Sequence, residues 1–288
     1  MAVEEPMPDV LTEAVAAAAR NGEPERYLAA LYAGASARSG LLALAAFAAE
    51  IARVPFAVRE PLMGEMRLQW WRDALEADAS AQTGSPLADA LRQAANRHRL
   101  PAGLLLGMTD AQEFFLSRDA HHDLQALRAQ FGKSEGAHFV LAARVLGSGH
   151  ASELESAAAA AGQAFGLARL LHGLPHYLAH GMQPLPAELL ERHGVASADL
   201  LAGRCTAPVR GALAELARDA SDNHAIAAGL ANRLPRTLRP AFLPLATVPA
   251  LLKAAAGRGE EGLRVLRPVN PLGRFWRIWR ASRRGFAA

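Results

Sequence analysis

Apolar residues recur through this chain at helical spacing, and nowhere do they alternate for long enough to make a strand. Much of the pattern is written in alanine, in runs such as Ala16 to Ala19 and Ala157 to Ala161. Alanine loses no side-chain entropy in a helix and has the highest helix propensity. Valine, isoleucine and threonine, which favour strands, are sparse. The expected fold is therefore all-α. At 288 residues and 51% hydrophobic content, the chain is long and apolar enough for a sizeable core, and disorder is excluded as its main state.

Helix breakers divide the pattern. Helices are expected over 9–22, 26–33, 39–54, 60–78, 86–98, 101–116, 123–146, 152–174, 187–193, 207–234 and 240–256. Pro55 is expected to end the third of these, and Pro175 to end or kink the long one at 152–174. That long segment is apolar almost all round, as a central buried helix should be. Two units follow: a helical domain over 1–262 and a basic tail over 263–288.

One cysteine, Cys205, excludes an internal disulfide framework and any paired-cysteine metal site. The opening MAVEEPMPDV lacks a basic and then apolar leader, so no signal peptide is expected. No uncharged apolar run approaches ~18 residues, so no bilayer span is expected. Residues 264–288 hold seven arginines and no acid. Since the whole chain is +3, the remainder is net negative, which argues against a nucleic-acid partner. The expected location is cytoplasmic, with peripheral contact on the inner membrane face.

Several motifs can be weighed. Gly132-Lys133-Ser134 resembles the end of a phosphate loop, but Leu127 stands where the first glycine belongs and no strand precedes it. Asp119 and Asp123, four apart, could share a cation; at a helix start, capping is the preferred reading. His172, His176 and His180 also recur every four residues, but no orienting carboxylate is near, so no metal site is expected. In 60–75, EPLMGEMRLQWWRDAL, a polar stripe of Glu65, Gln69 and Arg72 could face solvent or a cavity. The spacing of Arg67 and Trp71 permits cation–π stacking. In the tail, Leu272, Phe275, Trp276 and Trp279 share one arc. Arg274, Arg277 and Arg284 lie opposite, with Arg280 at the flank, while Arg283 breaks the pattern by falling among the aromatics. That composition suits an interfacial membrane helix better than one docking its aromatics on the bundle.

Taken together, Arg38 with LLALAAF, the segment EPLMGEMRLQWWRDAL, Gly162-Gln163-Ala164 and GMQPLP at 181–186 resemble the squalene/phytoene synthase family from about Arg26 to the end of the bundle. The resemblance implies an isoprenoid-synthase-like helical bundle around a central cavity. In active members two aspartate-rich helical motifs face each other across that cavity. They hold magnesium, which draws diphosphate from a prenyl substrate. Aligned without gaps, the first motif falls here on Ala52, Arg53 and Phe56, and the second on Gly173, His176 and Tyr177. No acid remains at any of these positions. The segment LLHGLPHYLAHGMQPLPAELLERHGV is similar to a branch of the family around mitochondrial complex I assembly factor 6 and its bacterial relatives.

The resemblance thus implies a non-catalytic or atypical protein that holds an isoprenoid, a prenyl diphosphate or a respiratory-complex assembly partner at a membrane surface. No cofactor is expected. Substrate-binding candidates are Arg38, Glu50, Arg53, Glu65, Arg67, Trp71, Arg169, His172 and His176. Membrane-contact candidates are Arg274, Phe275, Trp276, Arg277, Trp279 and Arg280. The alternative is an active head-to-head prenyl transferase using magnesium on displaced carboxylates such as Glu50, Glu65, Asp73 or Asp110. A third reading is a scaffold with a collapsed cavity.

Overall fold

The structure is a computed structural model that describes residues 9–78, 82–117, 121–147, 152–256 and 263–286. The described residues are helical and contain no strand. In order they form α1 (Asp9–Gly22), α2 (Pro24–Ala30), α3 (Ala35–Ala57), α4 (Pro61–Glu76), α5 (Pro86–His98), α6 (Ala102–Ser117), α7 (Leu124–Phe131) and α8 (Ala137–Val145). There follow α9 (Ser152–Ala179), α10 (Ala187–Arg192), α11 (Ser197–Leu201), α12 (Ala207–Arg233), α13 (Arg239–Phe242), α14 (Val248–Ala256) and α15 (Pro271–Arg284). The expected domain boundary at 262 lies outside the described residues, as do the opening residues 1–8 and Asp119.

Helix α9 is the axis of the bundle and packs along α12. Its first half, through Ala157, Ala161, Ala164 and Phe165, belongs to a large core shared with α3, α5 and α8. There Phe139 meets Phe165 edge-on and stacks on Phe242. Its second half, through Leu167, Leu171, Leu174 and Leu178, belongs to a second core with α10 and α12. One helix buried in two cores must be apolar almost all round, as its sequence is.

Two expectations are corrected. First, α3 runs on through Pro55 instead of ending there, and of the two outcomes open at Pro175, an end or a kink, the continuous α9 excludes the end. A proline removes one N–H and crowds the carbonyl a turn back, so it bends a helix that outside contacts hold together beyond it. Here Phe56 and His176, the residues after the two prolines, are in ring contact, with centroids 4.4 Å apart. Second, the single helix expected over 123–146 is two helices, α7 and α8, joined by a π-helical turn at Gly132–Gly136. Gly162 of α9 makes room for it: a Cβ there would lie 2.6 Å from the Gly136 nitrogen. Helix α3 is long and apolar enough to cross a membrane by length and composition alone. Two-thirds of its most apolar stretch is buried in the bundle, which is also the situation of a soluble core helix.

Candidate functional site

The C-terminal turns of α3 and α9 bring together the positions that the resemblance assigns to the two acidic motifs. What meets there is a cluster of rings. Phe56 lies 4.4 Å from His176, 5.1 Å from Tyr177 and 5.3 Å from His180 between centroids. His176 and His180 are 4.5 Å apart, and Phe115 of α6 closes on Tyr177 at 5.4 Å. Burial lowers the His176 imidazole below its ordinary value, and His180 adds to this. Burial pushes the Tyr177 phenol up to about 12, so it stays protonated at neutral pH.

These residues do not fit magnesium, which requires an octahedron of hard oxygen ligands at about 2.0–2.1 Å. A phenyl ring, a protonated phenol and imidazole nitrogens supply no such set. Nearby acids are committed elsewhere. Glu50 pairs with Arg53 at 3.0 Å. Asp73 accepts from Gln69 at 2.7 Å. Asp110 pairs with Arg72 at 2.8 Å, and Arg72 also holds Glu113. Glu65 is exposed on α4. Among the described residues, no three His, Cys, Asp or Glu side chains gather as a metal site.

Beside the rings is a groove of about 230 Å³ lined by Glu50, Arg53, Arg67, Trp70 and Trp71. It unites four of the sequence-predicted residues. Trp71 turns its edge to Phe47 and Trp70, at 5.1 and 5.2 Å, and among the described residues makes no cation–π contact with Arg67. The polar stripe of α4 is a seam to α6, made by Arg72.

The other candidates are placed elsewhere. Arg38 donates to the carbonyls of Leu31 and Ala33, closing the end of α2. His172 Nε2 donates to the Arg267 carbonyl at 2.7 Å, tying α9 to the segment before the tail. Asp123 caps α7 by accepting from the Ala126 amide.

Arg169 belongs to a network that sequence reasoning missed. Its Nη1 lies 2.7 and 2.9 Å from the two oxygens of Glu23 and 3.5 Å from Glu135. Arg26 pairs with Glu23 at 3.1 Å and with Glu135. Both guanidiniums face the Phe165 ring. The π turn, admitted by Gly162, is what delivers Glu135 to this place. Burial works to raise the Glu135 carboxyl, but Arg26 and Arg169 outweigh it and hold the group below the usual glutamate range. His138, buried nearby with an unpartnered Nδ1, is driven well below the ordinary histidine value by burial and then by the two arginines.

The tail helix docks by Ile278 and Ala281, which are buried. Its aromatic arc points away from the bundle: Leu272 is 79% exposed, Phe275 50%, Trp276 53% and Trp279 44%. Arg274, expected among the membrane contacts, instead turns inward and pairs with Glu25 at 2.8 Å.

A family model described as squalene/phytoene synthase matches residues 19–275. The rat protein named NADH dehydrogenase (ubiquinone) complex I, assembly factor 6, from Rattus norvegicus, is 30% identical over 237 residues, spanning 81% of this chain and 70% of its own. Among solved structures, squalene synthase HpnC from Alicyclobacillus acidocaldarius superposes with a TM-score of 0.71 at 20% identity, covering 86% of this chain and 95% of that one. A dehydrosqualene synthase in complex with ligand gives 0.75 at 13% identity, covering 94% and 95%. At these identities the structural likeness speaks to the fold alone.

Proposed function

We propose, from the premise that this chain belongs to the squalene/phytoene synthase family, that it keeps the family's bundle without metal-assisted ionisation and serves in respiratory complex I assembly at a membrane surface. The observation that carries the reading is the ring cluster. Ionising a prenyl diphosphate leaves a carbocation and an anion of high charge density, which divalent cations on facing carboxylates must neutralise. Phe56, His176 and Tyr177 occupy those facing positions and cannot supply the ligands.

The neighbouring groove supports a retained binding role. Arg53 and Arg67 can hold a diphosphate by charge and hydrogen bonding, and Trp70 and Trp71 offer apolar faces to a prenyl chain. A bound prenyl diphosphate would then be held intact. The outward aromatic arc of α15 supports the membrane location. The 30% identity to a protein named as a complex I assembly factor supports the cellular role.

The test is genetic and biochemical. Deleting the gene in its native host should reduce fully assembled complex I on native gels, together with NADH:ubiquinone reductase activity in membranes. The wild-type gene should restore both. Normal complex I in the deletion strain would refute the assembly role.

A further inference from the structure

The aromatic arc of α15 does not stand alone on the surface. On one side of the helix a cleft of about 360 Å³ is lined by Tyr32, Arg236, Arg239 and Arg283. On the other a cleft of about 420 Å³ is lined by Trp276, Arg277, Arg280 and Arg284. At ~100° per residue, the buried Ile278 and Ala281 face one way and Leu272, Trp276 and Trp279 nearly the opposite way. The ridge, in which Arg283 stands among the apolar residues, thus has a basic cleft on either side of the helix. Among the described residues, none of these six arginines forms an ion pair. Arg239 donates to the Ser282 carbonyl, and the Arg280 guanidinium stands 5.5 Å from the Trp276 ring centre. Glu25, beside the helix, is neutralised by Arg274.

We infer that α15 and the two arginine clefts beside it form a docking surface for a leaflet of anionic phospholipid. The inference rests on the membrane location proposed above and adds what that leaflet must carry. Exposed tryptophans favour the boundary between head groups and acyl chains. When the ridge sits there, both clefts open at the depth of the lipid phosphates, where each arginine gains from a negative surface. Unneutralised arginines in concave sites are a poor match for a zwitterionic leaflet. A nucleic acid would use the arginines and leave the ridge in water.

The experiment mixes the full chain with vesicles of phosphatidylcholine alone, or of phosphatidylcholine with phosphatidylglycerol, and measures sedimentation and the blue shift of tryptophan emission. Binding to the anionic vesicles only, reversed by salt, is expected. Arg236→Gln with Arg283→Gln should weaken that binding by about 30-fold. Arg280→Gln with Arg284→Gln should do the same, at about fivefold per arginine near a charged surface. Trp276→Ala with Trp279→Ala should weaken it as well. Circular dichroism should show each variant folded, as expected for substitutions of exposed side chains.

Equal binding to both vesicle types would overturn the anionic requirement while leaving the membrane location standing. Failure to bind either would remove both. Full-strength binding by the arginine variants, or binding to duplex DNA as tight as to anionic vesicles, would also overturn the inference.

Discussion

Glu23→Gln isolates the energetic role of the buried charges. The Glu23 side chain is 1% exposed, and its carboxylate is shared by Arg26 and Arg169. The substitution keeps shape and removes charge, leaving two guanidiniums facing the single carboxylate of Glu135. Removing one member of a buried ion network costs about 3–5 kcal/mol, because the partners stay desolvated. For a domain of this size, each kcal/mol lowers Tm by roughly 2–3 °C, so a fall of roughly 6–15 °C is expected. Arg53→Ala, which breaks the exposed Glu50 pair, is the control. Its expected cost is about 0–1 kcal/mol, since water screens that pair. Calorimetry or a thermal melt followed by circular dichroism reads both. Equal small shifts for the two variants would refute the reasoning and mean that water reaches the network freely.

Gly162→Ala should destabilise the chain by about 1–3 kcal/mol in urea, because the added methyl meets the π turn's backbone; an unchanged midpoint would contradict that packing. His138 is held neutral far below 6.5, so its contribution to stability is complete above about pH 6.5 and is lost as pH falls from there toward the folded value. His121, lowered by burial to about 4, acts in the same direction. Melting temperature should therefore fall on acidification below about pH 6.5, and His138→Leu should flatten the curve; an identical pH profile in the variant would refute that role. Glu135 acts at lower pH. Its stability contribution is complete above about pH 4.5 and is lost as pH falls through its depressed folded value, so Glu135→Gln should blunt the acid limb of the melt; an acid limb unchanged from wild type would refute this.

Local rules found most of the helices because the breakers are local. The expected segment at 86–98 coincides with α5. The helices that run through Pro55 and Pro175 could not be read locally, because what holds their last turns is a contact between residues 56 and 176. A five-residue π turn was equally invisible, since a single turn is too short to show a period of its own in the sequence. At the site, the resemblance implied that the two motif positions face each other, and the fold brings Phe56 of the first against His176 and Tyr177 of the second.

The charge network escaped because Glu23 and Arg169 are 146 residues apart. The available signal was the charged cluster Glu23, Glu25 and Arg26 at the start of a short helix whose other residues, Tyr27 apart, are apolar. The direction of the tail's aromatics depends on which face docks. Ile278 and Ala281, the smaller apolar pair, won that face, and the tryptophans were left outside.

The central claim is that facing positions stripped of carboxylates cannot ionise a prenyl diphosphate. Its most direct measurement is pyrophosphate release by the purified full chain incubated with magnesium and farnesyl or geranylgeranyl diphosphate. The account predicts release no faster than in a protein-free control at any magnesium concentration. Magnesium-dependent turnover, lost on substituting Glu50, Glu65, Asp73 or Asp110, would contradict it.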